Sequence, residues 1–506
     1  MTKSNKAHTK SYAEINEKIK SGDALVLTAE EMISFVEENG VSVAAKEVDV
    51  VTTGTFGAMC SSGALLNFGH SDPPIKMQKV WLNDVEAYTG IAAVDAYLGA
   101  TQLSETEGIS YGGGHVIEDL LKGEEIELRA TSNGTDCYPR KKVKTDFTLN
   151  DLNQAWLLNP RNAYQNYAAA TNSSETPIYT YMGKLLPDNG NVTYTTSSQL
   201  SPLINDPYFE TIGFGTRIFL GGGEGFVIGE GTQFNTEVPR KNGVPVGPAG
   251  TIAVKGDLKG CSPKYIRGGS FTGYGVSLYV GLGIPIPILN EDIAKRCAIK
   301  DEEIFTNVLD YSAPGKPILK EVNYKELRSG KIELGNKEVR TSSLASLDLA
   351  REIADELKTW VEKDAFSIAE PISYFPKKSI VRPMRQNGPE VSSIMKRAIT
   401  IKETGTITEV SKLMIGKGIN HILIERGDKL WGIVTSWDLA RALAEGKEKL
   451  EEVATRKVIT TSPKETTIIA AEKMRRNNIS ALPVIGAKGE ILGIITNGDL
   501  ASALRK

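Results

Sequence analysis

Cysteine is scarce in this chain: Cys60, Cys137, Cys261 and Cys297 are the four present in 506 residues. So few and so scattered thiols exclude a disulfide framework. The lack of any CxxC pair also removes the usual signature of a structural zinc site or of closely spaced iron–sulfur ligands. Long apolar runs are missing too. No stretch approaches the roughly 18 to 20 residues that a bilayer-spanning helix needs, and the polar opening from Met1 to Lys20 lacks the apolar core of a signal peptide. A soluble, cytoplasmic protein with no membrane partner is expected. Excess charge of either sign is absent as well. With 59 basic against 62 acidic side chains the formal net charge is -3, which leaves no footprint for a nucleic acid.

What is present is length and pattern. A chain of 506 residues outgrows a single hydrophobic core and calls for two or three domains. Tyr12, Ile15 and Ile19 recur at helical spacing, and Thr28 with Glu31 forms a capping box ahead of Met32, Phe35 and Val36. The β-branched run Val48 to Thr53 reads as a strand. It ends in the small-residue loop Gly54-Thr55-Phe56-Gly57-Ala58-Met59-Cys60-Ser61-Ser62-Gly63, after which a helix is expected. Glycine is then dense to about residue 290, in Gly112-Gly113-Gly114, Gly213 to Gly225 and Gly268 to Gly283, as suits strands joined by close turns. Leu344, Leu347, Leu349, Ile353, Leu357 and Trp360 return to a helical period, and the proline- and charge-rich stretch from Pro371 through Pro383 and Pro389 reads as a linker.

Beyond it the chain repeats itself. Ile399-Thr400, Thr406, Val410, Met414 and Ile419 recur 60 positions on as Ile459-Thr460, Thr466, Ala470, Met474 and Ile479. Gly432-Ile433-Val434-Thr435-Ser436-Trp437-Asp438 then recurs, shifted by 61, as Gly493-Ile494-Ile495-Thr496-Asn497-Gly498-Asp499. Each unit reads as helix, strand, turn, strand, helix, and two units cover the sheet face that one would leave bare. This segment resembles a tandem CBS pair over its whole length. The resemblance implies a cleft for an adenosyl ligand with Thr435, Asp438, Thr496 and Asp499 as its contacts, and a homodimer formed through the pair.

Among the thiols, Cys60 sits in a loop where a helix amino terminus would favour the thiolate, and Cys137 lies in the turn-rich segment Asn133 to Lys142, followed at once by Arg140, Lys141 and Lys142. For either one the alternative is a small buried apolar residue. Cys261 has a similar loop setting, and Cys297 in a helical pattern reads as structural.

The motifs Gly54 to Gly63, Tyr111-Gly112-Gly113-Gly114-His115 and Gly134-Thr135-Asp136-Cys137-Tyr138-Pro139-Arg140, together with a carboxyl-terminal CBS pair, resemble the L-aspartate semialdehyde sulfurtransferases, the homocysteine-biosynthesis family of methanogens and other anaerobes. The resemblance covers nearly the whole chain. It implies a mixed α/β catalytic domain over residues 1–370, a linker over 371–390, and CBS units over 391–447 and 448–506. It also implies conversion of L-aspartate 4-semialdehyde and a sulfide-derived sulfur to homocysteine, with electrons from an external ferredoxin-like iron–sulfur protein and no tightly bound cofactor or metal. Cys60 and Cys137 carry over as the catalytic pair. One would bear a persulfide, a strong nucleophile toward an aldehyde, and the other would resolve it through a disulfide.

The substrate's carboxylate calls for a cation, for which Arg140 is nearest in sequence and Arg217 and Arg267 are alternatives. Its aldehyde oxygen calls for a proton, from His115 or His70. Homocysteine leads on to methionine and S-adenosylmethionine, so that compound, with AMP or ATP behind it, is the expected CBS ligand. The competing readings are a non-catalytic, adenosyl-responsive regulator and an inosine-monophosphate-dehydrogenase-like enzyme. The second is disfavoured because its CBS pair interrupts a barrel instead of following the catalytic domain.

Overall fold

A computed structural model describes residues 9–313, 315–382, 388–427 and 429–503. The chain divides into two compact units, Met1–Val381 and Arg382–Lys506. Pro383 of the expected linker lies outside the described residues, while the linker's beginning is packed onto the first unit. Ile372 and Ser373 pair with Phe214, Phe375 is buried in the large core, and Ser379 exchanges hydrogen bonds with Thr236.

The first unit is mixed α/β, as the sequence indicates. The helical period of Ile15 and Ile19 becomes Tyr12–Ser21 with both isoleucines buried, and Thr28 caps Ala29–Asn39 through a reciprocal bond with Glu31. The dominant element is a nine-stranded sheet. Its strands, in chain order, are β1 Thr55–Ala58, β2 Gly63–Asn67, β3 Asp95–Gly99, β4 Gln154–Tyr164, β5 Arg217–Leu220, β6 Gly223–Glu230, β7 Thr251–Asp257, β8 Ile266–Phe271 and β9 Gly275–Gly283.

Their spatial order is β8-β9-β5-β6-β7-β4-β2-β3, and β1 pairs with β9. On β9, Leu282 is paired with Leu220 of β5 and with Thr55 of β1, so these two strands flank β9 on opposite edges. Because β1 and β2 are one continuous chain run, the sheet curls until the two ends of its order meet in residues 55–67. Inward-facing Leu66, Leu157, Val227, Val254, Leu278 and Leu282 fill its core.

The run 54–67 departs from the expected strand–loop–helix. Here β1, a turn at Met59–Ser62 and β2 follow one another, and no helix begins after Cys60. Residues Gly63–Asn67 pair on both sides, with β4 and with β3, and these ladders satisfy a backbone that a helix would have had to satisfy internally. The glycine triplet instead opens helix α1, Gly113–Lys122. A β-carbon on Gly113 would stand 2.0 Å from the Gly99 carbonyl oxygen, and one on Gly114 would stand 2.2 Å from that of Ser277, so only glycine lets α1 sit this close to the sheet. Helix α2, Leu347–Glu362, buries Ile353, Leu357 and Val361 and closes the unit.

A six-stranded antiparallel sheet includes the hairpin Ile126–Thr131 and Lys142–Phe147, whose connection carries Cys137. A mixed six-stranded sheet brings in Ala169–Thr171 and Asn191–Tyr194. In the second unit each repeat has the expected order of helix, strand, strand and helix: Ile407–Lys417, His421–Arg426, Lys429–Thr435 and Ser436–Glu445, then Thr467–Arg476, Ala481–Ile485, Ile491–Thr496 and Asn497–Ala503. No helix among the described residues is long and apolar enough to cross a membrane.

Candidate active site

The turn that joins the two ends of the sheet holds Cys60, half-buried in the wall of a cavity of about 380 Å³. Two side-chain bonds lace this turn to a bulge in β4, and a third holds the bulge itself. Asn159, itself buried, donates to Ser62 Oγ at 2.8 Å and accepts the Arg161 amide at 2.9 Å, and Ser61 Oγ donates to the Arg161 carbonyl at 3.0 Å. The Ala163 amide meets Met59 Sδ at 3.4 Å. The register of β4 against β7 breaks between Asn159 and Asn162 and again before Tyr164, and Ala163 takes φ 52°, a left-handed conformation costly for alanine. The bulge turns Arg161, Ala163 and Tyr164 toward the cavity that Cys60 lines.

Ser277 Oγ, buried on β9, donates to Cys60 Sγ at 3.2 Å, a bond that strengthens when the thiol ionises. Tyr274 and Tyr279 also stand beside this sulfur. Burial first, and the negative charge of the thiolate after it, push both phenols above their ordinary range. Tyr164 and Tyr167 are likewise raised by burial, so these side chains remain O–H donors at neutral pH. A line of hydroxyls leads outward from the cavity: Tyr167 donates to Tyr181 at 3.1 Å, and Tyr181 lies 3.0 Å from Tyr311, whose ring carries the Lys316 ammonium 3.7 Å from its centroid. Thr55, Ser61, Thr195, Thr196 and Ser201 add to the polar lining, and among the described residues no carboxylate is part of it.

The sequence-derived candidates scatter. Cys137 is exposed in the hairpin connection, with Thr135 Oγ1 at 3.9 Å. Its loop packs on the segment that follows β2: the Tyr138 ring stacks on His70 at 6.0 Å, the Arg140 amide donates to Pro74 O at 3.3 Å, and the Asn133 amide to Gln78 Oε1 at 2.8 Å. Cys60 lies at the other end of β2, a strand of five residues and so roughly 13 Å long. Both cysteines are free thiols. Arg140 spends its guanidinium on the Asp72 carbonyl, and Arg217 is held by Glu224 and Ser367. Arg267 lies over Phe56, its guanidinium carbon 5.9 Å from the ring centroid.

His115 stacks on Tyr111 at 5.5 Å in the first turn of α1, outside the cavity lining, and burial lowers its pKa. Cys261 is closed in against the Leu220 and Asp257 carbonyls, its thiol pushed up to about 12 by burial. Cys297 is fully buried and also raised. Sequence reading missed Arg161 and the tyrosines. The signal available was Asn159-Pro160-Arg161, an Asn-Pro step inside an otherwise strand-like run.

In the second unit a cleft of about 1100 Å³ is lined by Thr435, Thr496 and Asp499 among others. Both threonines are helix caps. Thr435 Oγ1 donates to Asp438 at 2.7 Å and Thr496 Oγ1 to Asp499 at 2.6 Å, so the T-x-x-D ending is first a capping arrangement. Asp438 turns to Arg441 at 3.1 Å and lies outside the cleft lining, whereas Asp499 faces Lys396 at 2.6 Å within it.

Residues 24–368 match the family model described as homocysteine biosynthesis enzyme, sulfur-incorporation, and residues 391–445 and 450–506 match the CBS domain. An L-aspartate semialdehyde sulfurtransferase of Methanosarcina acetivorans is 53% identical over 98% of this chain and 99% of its own. Another, from Methanocaldococcus jannaschii, is 51% identical over 97% and 98%. A crystal structure of a CBS domain pair in complex with 5′-methylthioadenosine and S-adenosyl-L-methionine is 38% identical, covering 24% of this chain and 98% of that one, with a TM-score of 0.23.

Proposed function

The chain belongs to the homocysteine biosynthesis, sulfur-incorporation family, and on that footing we propose that it is an L-aspartate semialdehyde sulfurtransferase whose sulfur is handled at Cys60. The observation that supports Cys60 over the other thiols is its place: in a cavity wall, bonded by Ser277, and sharing that cavity with the Arg161 cation and several phenols.

In this reading a persulfide on Cys60 adds its terminal sulfur to the aldehyde carbon. The carbonyl π pair moves to oxygen, which takes a proton from the tyrosine hydroxyl line. Two electrons and a proton cleave the S–S bond, returning the Cys60 thiolate and freeing a mercapto-alcohol. Loss of water gives a thioaldehyde, and two further electrons with two protons give the thiol of homocysteine. The total is four electrons from a sulfane-sulfur donor, and an external iron–sulfur protein supplies them. When sulfide is the source the net is two, because the two electrons released as sulfide and the Cys60 thiolate join pass to the oxidised form of that protein and return in the later reductions. Cys137, exposed beyond the far end of β2, is where donor or reductant meets the chain, and exchange with Cys60 requires its loop to leave His70, Pro74 and Gln78.

The CBS cleft takes an adenosyl ligand, S-adenosylmethionine ahead of AMP or ATP, as a signal of end-product supply. The CBS match and the capped, polar-rimmed cleft support that assignment. The exposed Ile415 and Leu443 on the CBS helices support pairing of two chains there. The deciding experiment is an anaerobic assay of the purified chain with aspartate semialdehyde, sulfide and a low-potential reductant. Homocysteine forms with the natural protein and not with Cys60→Ala. A folded natural protein that yields none with any such reductant removes the enzymatic reading.

A further inference from the structure

Arg129, Arg217, Arg296, Arg328 and Arg351 of the large unit each hold a carboxylate. Among the described residues none pairs with Arg161, nor with Arg140, Arg240, Arg267 or Arg340, and of these five Arg161 is the one that lines the Cys60 cavity. Its contact is the Tyr164 phenol, and among the described residues no acidic side chain lines the cavity. A half-buried cation left without a counter-ion is costly unless a ligand provides one. The protein also invests in placing it. The bulge, the left-handed Ala163 and the two bonds made by Asn159 set Arg161 and the Cys60 turn by the same side chain.

From this we infer that Arg161 is the anchor for the substrate's α-carboxylate, holding an amino-acid aldehyde with its carbonyl end directed at Cys60. A guanidinium grips a carboxylate through two parallel bonds, which fixes orientation as well as position. The α-ammonium then meets no fixed cation of its own sign beyond Arg161. It is received by tyrosine faces and hydroxyls, chiefly Tyr167, Tyr181 and Tyr274, which suit a cation of that size. A site built this way selects a zwitterionic aldehyde over one lacking the carboxylate. The identity of the carboxylate's bearer rests on the sulfurtransferase reading above. The anchoring itself does not, and the two can be tested separately.

The first measurement needs no turnover. The protein, kept anaerobic, is exposed to an equimolar mixture of iodoacetate and iodoacetamide, and the two adducts are quantified at each cysteine by peptide mass spectrometry. The carboxylate-bearing reagent is drawn to Arg161, so the iodoacetate share at Cys60 falls about tenfold in Arg161→Ala and is mostly kept in Arg161→Lys, a size in keeping with one charge-assisted contact. Cys137, outside the cavity, serves as internal reference and keeps its ratio in every variant. An unchanged ratio at Cys60 in Arg161→Ala, with Cys137 steady, overturns the anchor whatever the enzyme's reaction.

The second measurement compares aspartate semialdehyde with 3-aminopropanal, which has the same aldehyde and amine and no carboxylate. The natural protein prefers the former by about a hundredfold in kcat/KM. In Arg161→Ala that preference collapses, chiefly through KM for the semialdehyde, while the rate with 3-aminopropanal is little changed. Equal preference in natural protein and variant overturns the proposal. Failure of the natural protein to make thiol from either aldehyde overturns the sulfurtransferase reading, and with it the named substrate, and leaves the alkylation result to judge the anchor.

Discussion

Ser277 Oγ and Cys60 Sγ are 3.2 Å apart, a hydroxyl on β9 aimed at the sulfur of the turn between β1 and β2. No helix amino terminus follows Cys60, so this donor does locally what the expected helix would have done. Ser277→Ala removes this donor, and alkylation of Cys60 at neutral pH should slow about tenfold, the size of one lost hydrogen bond to a reacting sulfur. The check is the rate of Cys60 alkylation by iodoacetamide, with Cys137 as internal reference. An unchanged rate means the hydroxyl does not bear on the sulfur.

The four thiols should separate into two classes. Cys137 is exposed and Cys60 is reachable through its cavity, whereas burial raises Cys261 to about 12 and raises Cys297 as well. At pH 7.5 in native protein, iodoacetamide should label Cys60 and Cys137 and leave Cys261 and Cys297 unlabelled until denaturant is added. Labelling of Cys261 at the rate of Cys137 would contradict its burial.

Cys60 and Cys137 stand beyond opposite ends of a strand roughly 13 Å long, and a disulfide needs Cα atoms within about 7 Å. Mild oxidation of the folded protein should therefore give little direct Cys60–Cys137 crosslink within one chain, by non-reducing peptide mapping. Abundant crosslink would show the 132–141 loop moving freely, as the resolving role for Cys137 requires.

Tyr181 is the middle hydroxyl of the Tyr167–Tyr181–Tyr311 line. Tyr181→Phe should lower kcat tenfold or more and change KM much less, as expected for a proton route that serves the chemical step. Burial raises Tyr167 and Tyr311, so these donors stay protonated through neutral pH and lose their protons only in strong alkali. The rate should therefore show no tyrosine-dependent fall below pH 10. A decline between pH 8 and 9 that vanishes in Tyr181→Phe would refute the assignment.

Asp499 lines the CBS cleft beside Lys396, and Asp438 does not. By calorimetry, Asp499→Ala should weaken S-adenosylmethionine about tenfold. Asp438→Ala should act mainly on stability, by about 1 kcal/mol, through its lost share of a helix cap. An affinity unchanged in Asp499→Ala, or weakened as much in Asp438→Ala, would overturn this division.

Much of this was legible in the sequence because it was local. Capping at Thr28 and Glu31, the Ile15–Ile19 helix and the doubled CBS pattern depend on residues within a few positions of each other, and all appear as read. The run after Cys60 was misread because Gly63–Asn67 is fixed by partners about 30 and 90 residues away on β3 and β4, and short-range pattern cannot see them. Arg140 was chosen as the nearest cation in sequence to a candidate thiol. Arg161 stands a hundred residues past Cys60 and reaches its cavity only through a bulge whose register shift leaves no periodic mark.

The seam at residues 55–67 has an evolutionary consequence. A segment that both places Cys60 in the cavity wall and joins the two ends of a sheet tolerates little change, because a loss there alters cavity and architecture together. The bulge facing it is tied to that seam by Asn159, Ser61 and Met59, so its backbone is held under the same constraint. The side chain at Arg161 makes none of those three bonds, and a related protein acting on a different carbonyl compound should differ first there.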